Sequence, residues 1–312
     1  MNNETPRPEK NPGLTKPQPV SGLLLLNKPP GLTSFEALNG VKRTIGSGKA
    51  GHTGTLDKFA SGLLLVLTGR ALKLSPWFSH CDKQYEGTIR FGVETDTLDP
   101  EGQSIAEASL PEKETVTRVL SQFIGTIMQS PPEYSAIHIN GKRASALARA
   151  GAAPQMEKRP VCIYKLELLE WQPPFARIFV HCSSGTYIRS LARDIALASG
   201  SRAHLSALVR TRVASFRLED AQSENQLPCP ISKAVFDLLE LPWFEIETQG
   251  VKNIIHGKPL SQILDEKTLV HGNSVTAVAE KRAAGIFCGD DFIAMIEKVD
   301  GNWKYGFVYA NN

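Results

Sequence analysis

Two runs of consecutive apolar residues stand out in an otherwise mixed chain, Gly22 to Leu26 and Gly62 to Leu67. Each is short and bounded by turn formers, Pro29, Pro30 and Gly31 after the first, so each predicts a strand buried on both faces. Between them Thr33 and Glu36 form a capping box, and Phe35, Leu38, Val41 and Ile45 follow at helical spacing until Gly46. The glycine-rich segment from Gly46 to Asp57 predicts a loop. From Gln84 to Phe91, Tyr85, Gly87, Ile89 and Phe91 recur with the period of a strand. Further helices are predicted at 70–78, 112–124, 186–198 and 231–240, and strands at 161–170, 176–182 and 204–216. Asp96 to Gly102 reads as an acidic turn, and Asn140-Gly141 as a hairpin turn leading into an Ala-rich helical segment that carries Lys142, Arg143 and Arg149. Beyond Pro242-Trp243, short strands are predicted at 275–278, 286–288, 292–296 and 303–309. The expected organisation is a Pro-rich polar tail over 1–20, a main domain over 21–241 with a basic excursion at 130–158, and a small β-rich module over 242–312.

Composition narrows the class. The 312 residues are 41% hydrophobic and 21% charged, which excludes a disordered or fibrous chain. No apolar run nears the length of about 20 residues that a bilayer span needs, and no apolar segment marks a signal peptide, so the expectation is a cytoplasmic protein without a membrane partner. Five scattered cysteines lack a Cys-x-x-Cys pair, which fits free thiols better than disulfides or zinc. Net charge is only +3, but residues 130 to 217 hold thirteen Lys and Arg against five Asp and Glu. That basic third suits either a solvated face or a polyanionic partner.

Several local patterns invite chemistry and do not carry it. Gly48-Lys49 lacks the earlier glycine and the following Ser or Thr of a P-loop; Arg43 and Ala50 stand there. Leu98 offers no ligand oxygen at the third position of a calcium loop. Cys182-Ser183-Ser184-Gly185 lacks the nucleophile elbow and reads as a helix cap. Three residues keep two readings. Asp57 is a turn acid or a carboxylate at the mouth of a core strand. His52 is loop surface or a substrate neighbour. Arg189 falls in the first turn of a predicted helix, where a cation opposes the dipole, so it is a solvated arginine or one that reaches an anion such as Asp57 or a phosphate.

Four ordered blocks resolve these alternatives by resemblance. Leu26-Asn-Lys-Pro-Pro-Gly-Leu-Thr-Ser34, Ala50-Gly-His-Thr-Gly-Thr-Leu-Asp57 with Ala60-Ser-Gly-Leu63, Asp82-Lys-Gln-Tyr85, and His181-Cys-Ser-Ser-Gly-Thr-Tyr-Ile-Arg189 resemble the bacterial tRNA pseudouridine synthases of the TruB type, over roughly residues 21 to 217. Lys58 and Phe59 depart from the Pro and Leu usual after the family's aspartate.

The resemblance implies an α/β (α+β) fold, with a mixed, largely antiparallel sheet of pseudouridine synthase type and a PUA-like C-terminal module. It implies isomerisation of uridine 55 in the TΨC loop of tRNA, with Asp57 as the essential carboxylate and Arg189 as its partner. Tyr85 would stack on the flipped base, Tyr187 and Leu208 would line the uracil pocket, His52 would fill the vacated space, and Lys28 would support the site. Lys142 and Arg143 would grip phosphates. The reaction gains and loses no atoms, so no cofactor and no metal are expected, and the T arm of tRNA is the expected partner of a monomer needing no partner protein. The rivals are a non-catalytic tRNA folding chaperone and a related synthase acting on another RNA.

Overall fold

A computed structural model of the chain describes residues 20–46, 48–135, 137–139, 141–152, 156–264, 269–270 and 283–310. Thirteen strands precede Pro242 among these residues: β1 (Gly22–Lys28), β2 (Ala50–His52), β3 (Ser61–Thr68), β4 (Lys83–Phe91), β5 (Val93–Thr95), β6 (Ser104–Glu107), β7 (Gly125–Gln129), β8 (His138–Ile139), β9 (Lys142–Arg143), β10 (Arg159–Gln172), β11 (Phe175–Cys182), β12 (Ala203–Val213) and β13 (Phe216–Arg217). The helices among them are α1 (Leu38–Thr44), α2 (Ser75–Ser79), α3 (Lys113–Leu120), α4 (Ala144–Arg149), α5 (Ile188–Ala198) and α6 (Lys233–Leu238). The main sheet has the order β1-β3-β12-β4-β11-β10-β7, with β2 paired to β3 and β13 to β12. All its pairings are antiparallel except β3 with β12. This is the mixed, largely antiparallel sheet that the resemblance implies.

The apolar run in β3 has a direct structural cause. Leu63, Leu65 and Leu67 enter one core while Leu64 and Val66 enter another on the opposite face, beside α1. A strand covered on both sides has no polar register to keep. A third core lies over β4, β11 and β12, closed by α3 and α5. There Tyr85, Ile89 and Phe91 are buried at alternate positions.

A second sheet follows, with β14 (Trp243–Glu245), β15 (Leu269–Val270), β16 (Ala283–Cys288), β17 (Asp291–Val299) and β18 (Asn302–Val308) in the order β15-β14-β16-β17-β18, beside helix α7 (Thr248–Ile255). It shares an apolar cluster with the main sheet: Phe78 and Leu65 meet Phe236, Phe287, Phe292 and Met295. The Phe236 and Phe287 rings stand edge to face at 5.2 Å. Among the described residues no helix is long and apolar enough to cross a membrane.

Some local expectations need correction. The capping box forms, with Thr33 N–H and Oγ1 each donating to Glu36 at 2.8 Å, yet α1 starts only at Leu38. Ser34 is engaged by the backbone of Leu56, which holds 33–37 as a turn. Phe35 is consequently 65% exposed, under the Lys42 ammonium, and not in the core. Within the expected loop, Ala50–His52 pairs with β3, because that strand's free edge offers backbone partners. The Cys182–Gly185 segment does not cap α5. Ser183 Oγ instead accepts from Cys162 N–H at 2.9 Å, and α5 begins without a side-chain cap. Lys142 and Arg143 lie in the β8–β9 hairpin, not in the helix, which starts at Ala144. The strand expected to reach 216 turns at Ala214, whose φ is 47°, and resumes as β13. Strands β5, β6, β7 and β14 and helix α7 escape a reading from sequence; all are short or lack a clean period. The expected strand at 275–278 and residues 1–19 lie outside the described residues.

Candidate active site

Asp57 lies in the loop between β2 and β3, and that loop is clamped on both sides of it. Ser34 Oγ donates to Leu56 O at 3.0 Å and accepts from Leu56 N–H at 2.8 Å. Gly31 N–H donates to Lys58 O at 2.8 Å, and Lys28 Nζ reaches the same oxygen at 3.5 Å. Lys28 is fully buried, and burial pushes its amine down to about 8, against the opposing field of Asp57. Its stronger bonds go to the carbonyls of Leu32 at 2.6 Å and Pro29 at 2.9 Å. The Lys-Pro-Pro-Gly block is therefore the floor on which the Asp57 loop rests.

Arg189 approaches from the first turn of α5. Its Nε and Nη2 each donate to one carboxylate oxygen of Asp57 at 2.9 Å, a planar two-bond fork. Nη1 donates to Thr97 O at 2.8 Å and to Asp99 at 3.3 Å, and Nη2 also donates to Tyr134 O at 3.0 Å. All five guanidinium N–H groups thus have acceptors. Arg189 is 4% exposed, whereas the Asp57 side chain is 35% exposed toward the cleft. Each Asp57 oxygen keeps lone pairs free on that side. Asp99 is itself held by the Thr97 hydroxyl at 2.6 Å and Glu101 N–H at 3.0 Å. Burial pushes its carboxyl above the usual range, while these bonds and Arg189 oppose the shift.

The cleft in front of Asp57 has a volume of about 600 Å³. Tyr85 and Leu208, 8% and 6% exposed, form an apolar wall, and Tyr187 and Ile188 at the start of α5 face it. Tyr187 is fixed through its backbone: its N–H donates to the Gln129 side chain at 2.8 Å, and its carbonyl accepts from that amide at 3.1 Å. His52 also lines the cleft; its Nδ1 is buried without a hydrogen-bond partner, and burial and Arg210 hold its pKa below the ordinary imidazole value. Arg143 and Arg149 lie at the cleft from the excursion. Such a site offers one fixed carboxylate, an apolar wall for a planar ring, and basic groups for an anion.

Comparison with known proteins gives this arrangement a family. Residues 42–188 match the model of the TruB family pseudouridylate synthase N-terminal domain. The tRNA pseudouridine synthase B of Bordetella avium is 47% identical over 231 residues, covering 72% of this chain and 95% of that protein. That of Borreliella burgdorferi is 45% identical over 204 residues, covering 64% of this chain and 72% of that protein. The chain belongs to the TruB family of pseudouridylate synthases. Its fold is also that of a chain in a Cbf5–Nop10–Gar1 complex, at 24% identity and a TM-score of 0.65, covering 95% of this chain and 85% of that one. A chain in an H/ACA ribonucleoprotein bound to a substrate RNA gives 21% identity and a TM-score of 0.67, covering 97% and 92%.

In this synthase the geometry gathers Asp57, Arg189, Tyr85, His52, Tyr187, Leu208 and Arg143 around one cleft. Lys28 lies beneath the Asp57 loop and does not line the cleft, and Lys142 is exposed on the hairpin outside it. Sequence reasoning missed four residues. Asp99 was hidden in what reads as an acidic turn. Ser34 entered only as the last residue of the Lys-Pro block, with no role given to it. Lys83 and Arg210, which also line the cleft, are charged residues at inward-facing register positions of β4 and β12. That misplacement of charge in an apolar register was the available signal.

Proposed function

We propose that this synthase converts uridine 55 in the TΨC loop of tRNA to pseudouridine, with Asp57 as its catalytic carboxylate. The tRNA-directed names of its relatives support the substrate class. The observation that carries the catalytic reading is the two-bond Arg189–Asp57 fork, at 2.9 Å on both arms, opening onto a cleft walled by Tyr85.

The reaction breaks the N1–C1′ bond, turns the uracil and joins C5 to C1′. A cation beside a carboxylate favours its ionised form, and the fork also fixes the direction in which the Asp57 oxygens point. The ionised oxygen then attacks the nucleotide or removes a sugar proton. The target base lies inside a folded loop, so it is flipped out at a cost of a few kcal/mol. Stacking on Tyr85 returns about 1–3 kcal/mol. Tyr187 and Leu208 complete the pocket and exclude water from the freed sugar, and His52 takes up the space that the base leaves. Residues 21–241 act as the catalytic domain, the 130–158 excursion grips phosphates through Lys142 and Arg143, and 242–312 is an accessory module. The enzyme works as a monomer in the cytoplasm, where its tRNA is.

The test is tritium release from C5-labelled uridine in a T-arm stem-loop, with the purified chain and no guide RNA. Wild type releases tritium and Asp57→Asn does not. Release by Asp57→Asn would remove the carboxylate from the mechanism, and a wild type that needs a guide RNA would point to the other RNA substrate.

A further inference from the structure

Arg210 is 2% exposed, yet it lines the cleft. It stands on β12 directly opposite Tyr85 of β4, so the two side chains share one face of the sheet. Its Nε donates to Leu63 O at 2.7 Å and Nη2 to Gly54 O at 3.1 Å. Gly62 lets the β12 backbone lie against β3 at this point: with φ at 106°, a Cβ there would lie 2.4 Å from Arg210 O. Every identified partner of this guanidinium is neutral. Among the described residues no carboxylate lies within ion-pairing distance of Arg210. Its field is felt nearby, where it helps push Lys28, His52 and Lys83 below their ordinary values.

A buried cation without a counter-ion is costly, and its cost falls when negative charge arrives beside it. The reaction creates such a charge. When the N1–C1′ bond opens, its electron pair leaves with the uracil, which becomes an anion. C1′ is satisfied by an Asp57 oxygen or by loss of a neighbouring sugar proton. Closure of the C5–C1′ bond then uses an electron pair of the base as the Asp57 oxygen leaves C1′ or the lost sugar proton returns; C5 gives up its proton, and N1 takes one. The base is thus anionic only between the two bond changes. Asp57 and its two-carboxylate setting around Arg189 lie at the sugar side of this event and offer the base nothing positive that is unengaged.

We propose that Arg210 is a positioning residue of the reaction, whose unpaired charge behind the Tyr85 wall stabilises the uracil anion between bond cleavage and rejoining. This rests on the proposed pseudouridine synthesis and deepens it. An arginine suits the task because it stays protonated at any working pH and cannot quench the anion by giving up its proton. Preorganised charge in a water-poor site acts most where charge develops.

The test compares two bases. Fluorine at C5 makes uracil a better anion and so reduces the need for an outside charge. Single-turnover loss of the N1–C1′ bond is measured in T-arm stem-loops carrying uridine or 5-fluorouridine, together with RNA Kd and the thermal transition. Arg210→Gln should slow the uridine reaction by about 100-fold, the scale of removing one preorganised donor, and the 5-fluorouridine reaction by much less, with Kd nearly unchanged. Arg210→Lys should recover much of the loss. Equal slowing on both bases would overturn the proposal, since a merely structural arginine treats them alike; so would a loss confined to Kd. If Arg210→Gln loses its thermal transition, the same two-base ratio in Arg210→Lys decides: a residual defect larger on uridine supports the proposal, and an equal one overturns it. An inactive wild type on both stem-loops would instead reject the underlying reading of the substrate.

Discussion

Two buried arginines face one cleft in opposite electrical settings. Arg189 lies between Asp57 and Asp99, with all five N–H groups engaged and two carboxylates to balance one cation. Among the described residues Arg210 is held by two backbone carbonyls and pairs with no carboxylate. The same side chain is therefore put to two uses. At Asp57 the fork is two-bonded and the charge is neutralised, while at Arg210 the charge is left open; in the reaction proposed above, Arg189 aims the carboxylate and Arg210 faces the base. The neighbourhood of Arg210 strengthens the contrast, since Lys83 on the same face of β4 is bonded to the carbonyls of Ser79, at 2.7 Å, and Cys81.

The largest expected break in this contrast is at Arg189. Arg189→Ala should lower single-turnover tritium release by about 1,000-fold or more, the scale of removing a preorganised donor and leaving a carboxylate unpaired. RNA Kd should change by only a few fold. A loss seen mainly in Kd would show that the anion served by Arg189 is a phosphate and not Asp57.

A smaller effect tests whether affinity resides away from both arginines. Lys142→Ala with Arg143→Ala removes two charges from the hairpin, one exposed outside the cleft and one at its mouth. Binding to the T arm should weaken by about tenfold, and the slope of log K against log salt should become shallower by about 0.7 for each phosphate that is no longer neutralised. Turnover of bound RNA should hold. Unchanged affinity and slope would remove the hairpin from RNA binding.

The smallest effect is a pH limb at the base end. Burial pushes the Lys83 amine down to about 8, with Arg210 adding to the shift and Asp82, Cys81 and Cys182 opposing it. The amine is charged below that value and neutral above it, so the positive field of the wall weakens as pH rises through about 8. Single-turnover rate should fall a few fold across about pH 7 to 9, the range around that value in which the charge disappears. Lys83→Arg should shift this limb to higher pH, because a guanidinium stays charged. A limb that stays in place in Lys83→Arg would assign it to another group.

How much of the site was legible depended on the kind of signal each residue left. Asp57, His52 and Tyr85 sit in sequence blocks whose order and spacing resemble a family, and the glycine-rich setting of Asp57 marks it as a loop carboxylate. The odd place of Arg189, a cation in the first turn of α5, left a solvated arginine and an anion-reaching one both open on local grounds; the fork to Asp57 decides for the anion. Asp99 left no such mark. An acidic turn between β5 and β6 looks the same whether its carboxylate faces water or a guanidinium 90 residues away in sequence. The capping box at Thr33 is a correct local motif that does not extend into a helix, because the competing bonds from Ser34 to Leu56 span 22 residues.

By itself the sequence determined the two buried apolar strands, the alternation of β4, the helix at 186–198 and the chemical identity of the loop acid, since periodicity and side-chain type are written locally. Which cation is neutralised and which is left open was decided only by the tertiary structure. Burial and the position of the nearest carboxylate set the energy of a charge, and both are properties of packing between segments far apart in the chain.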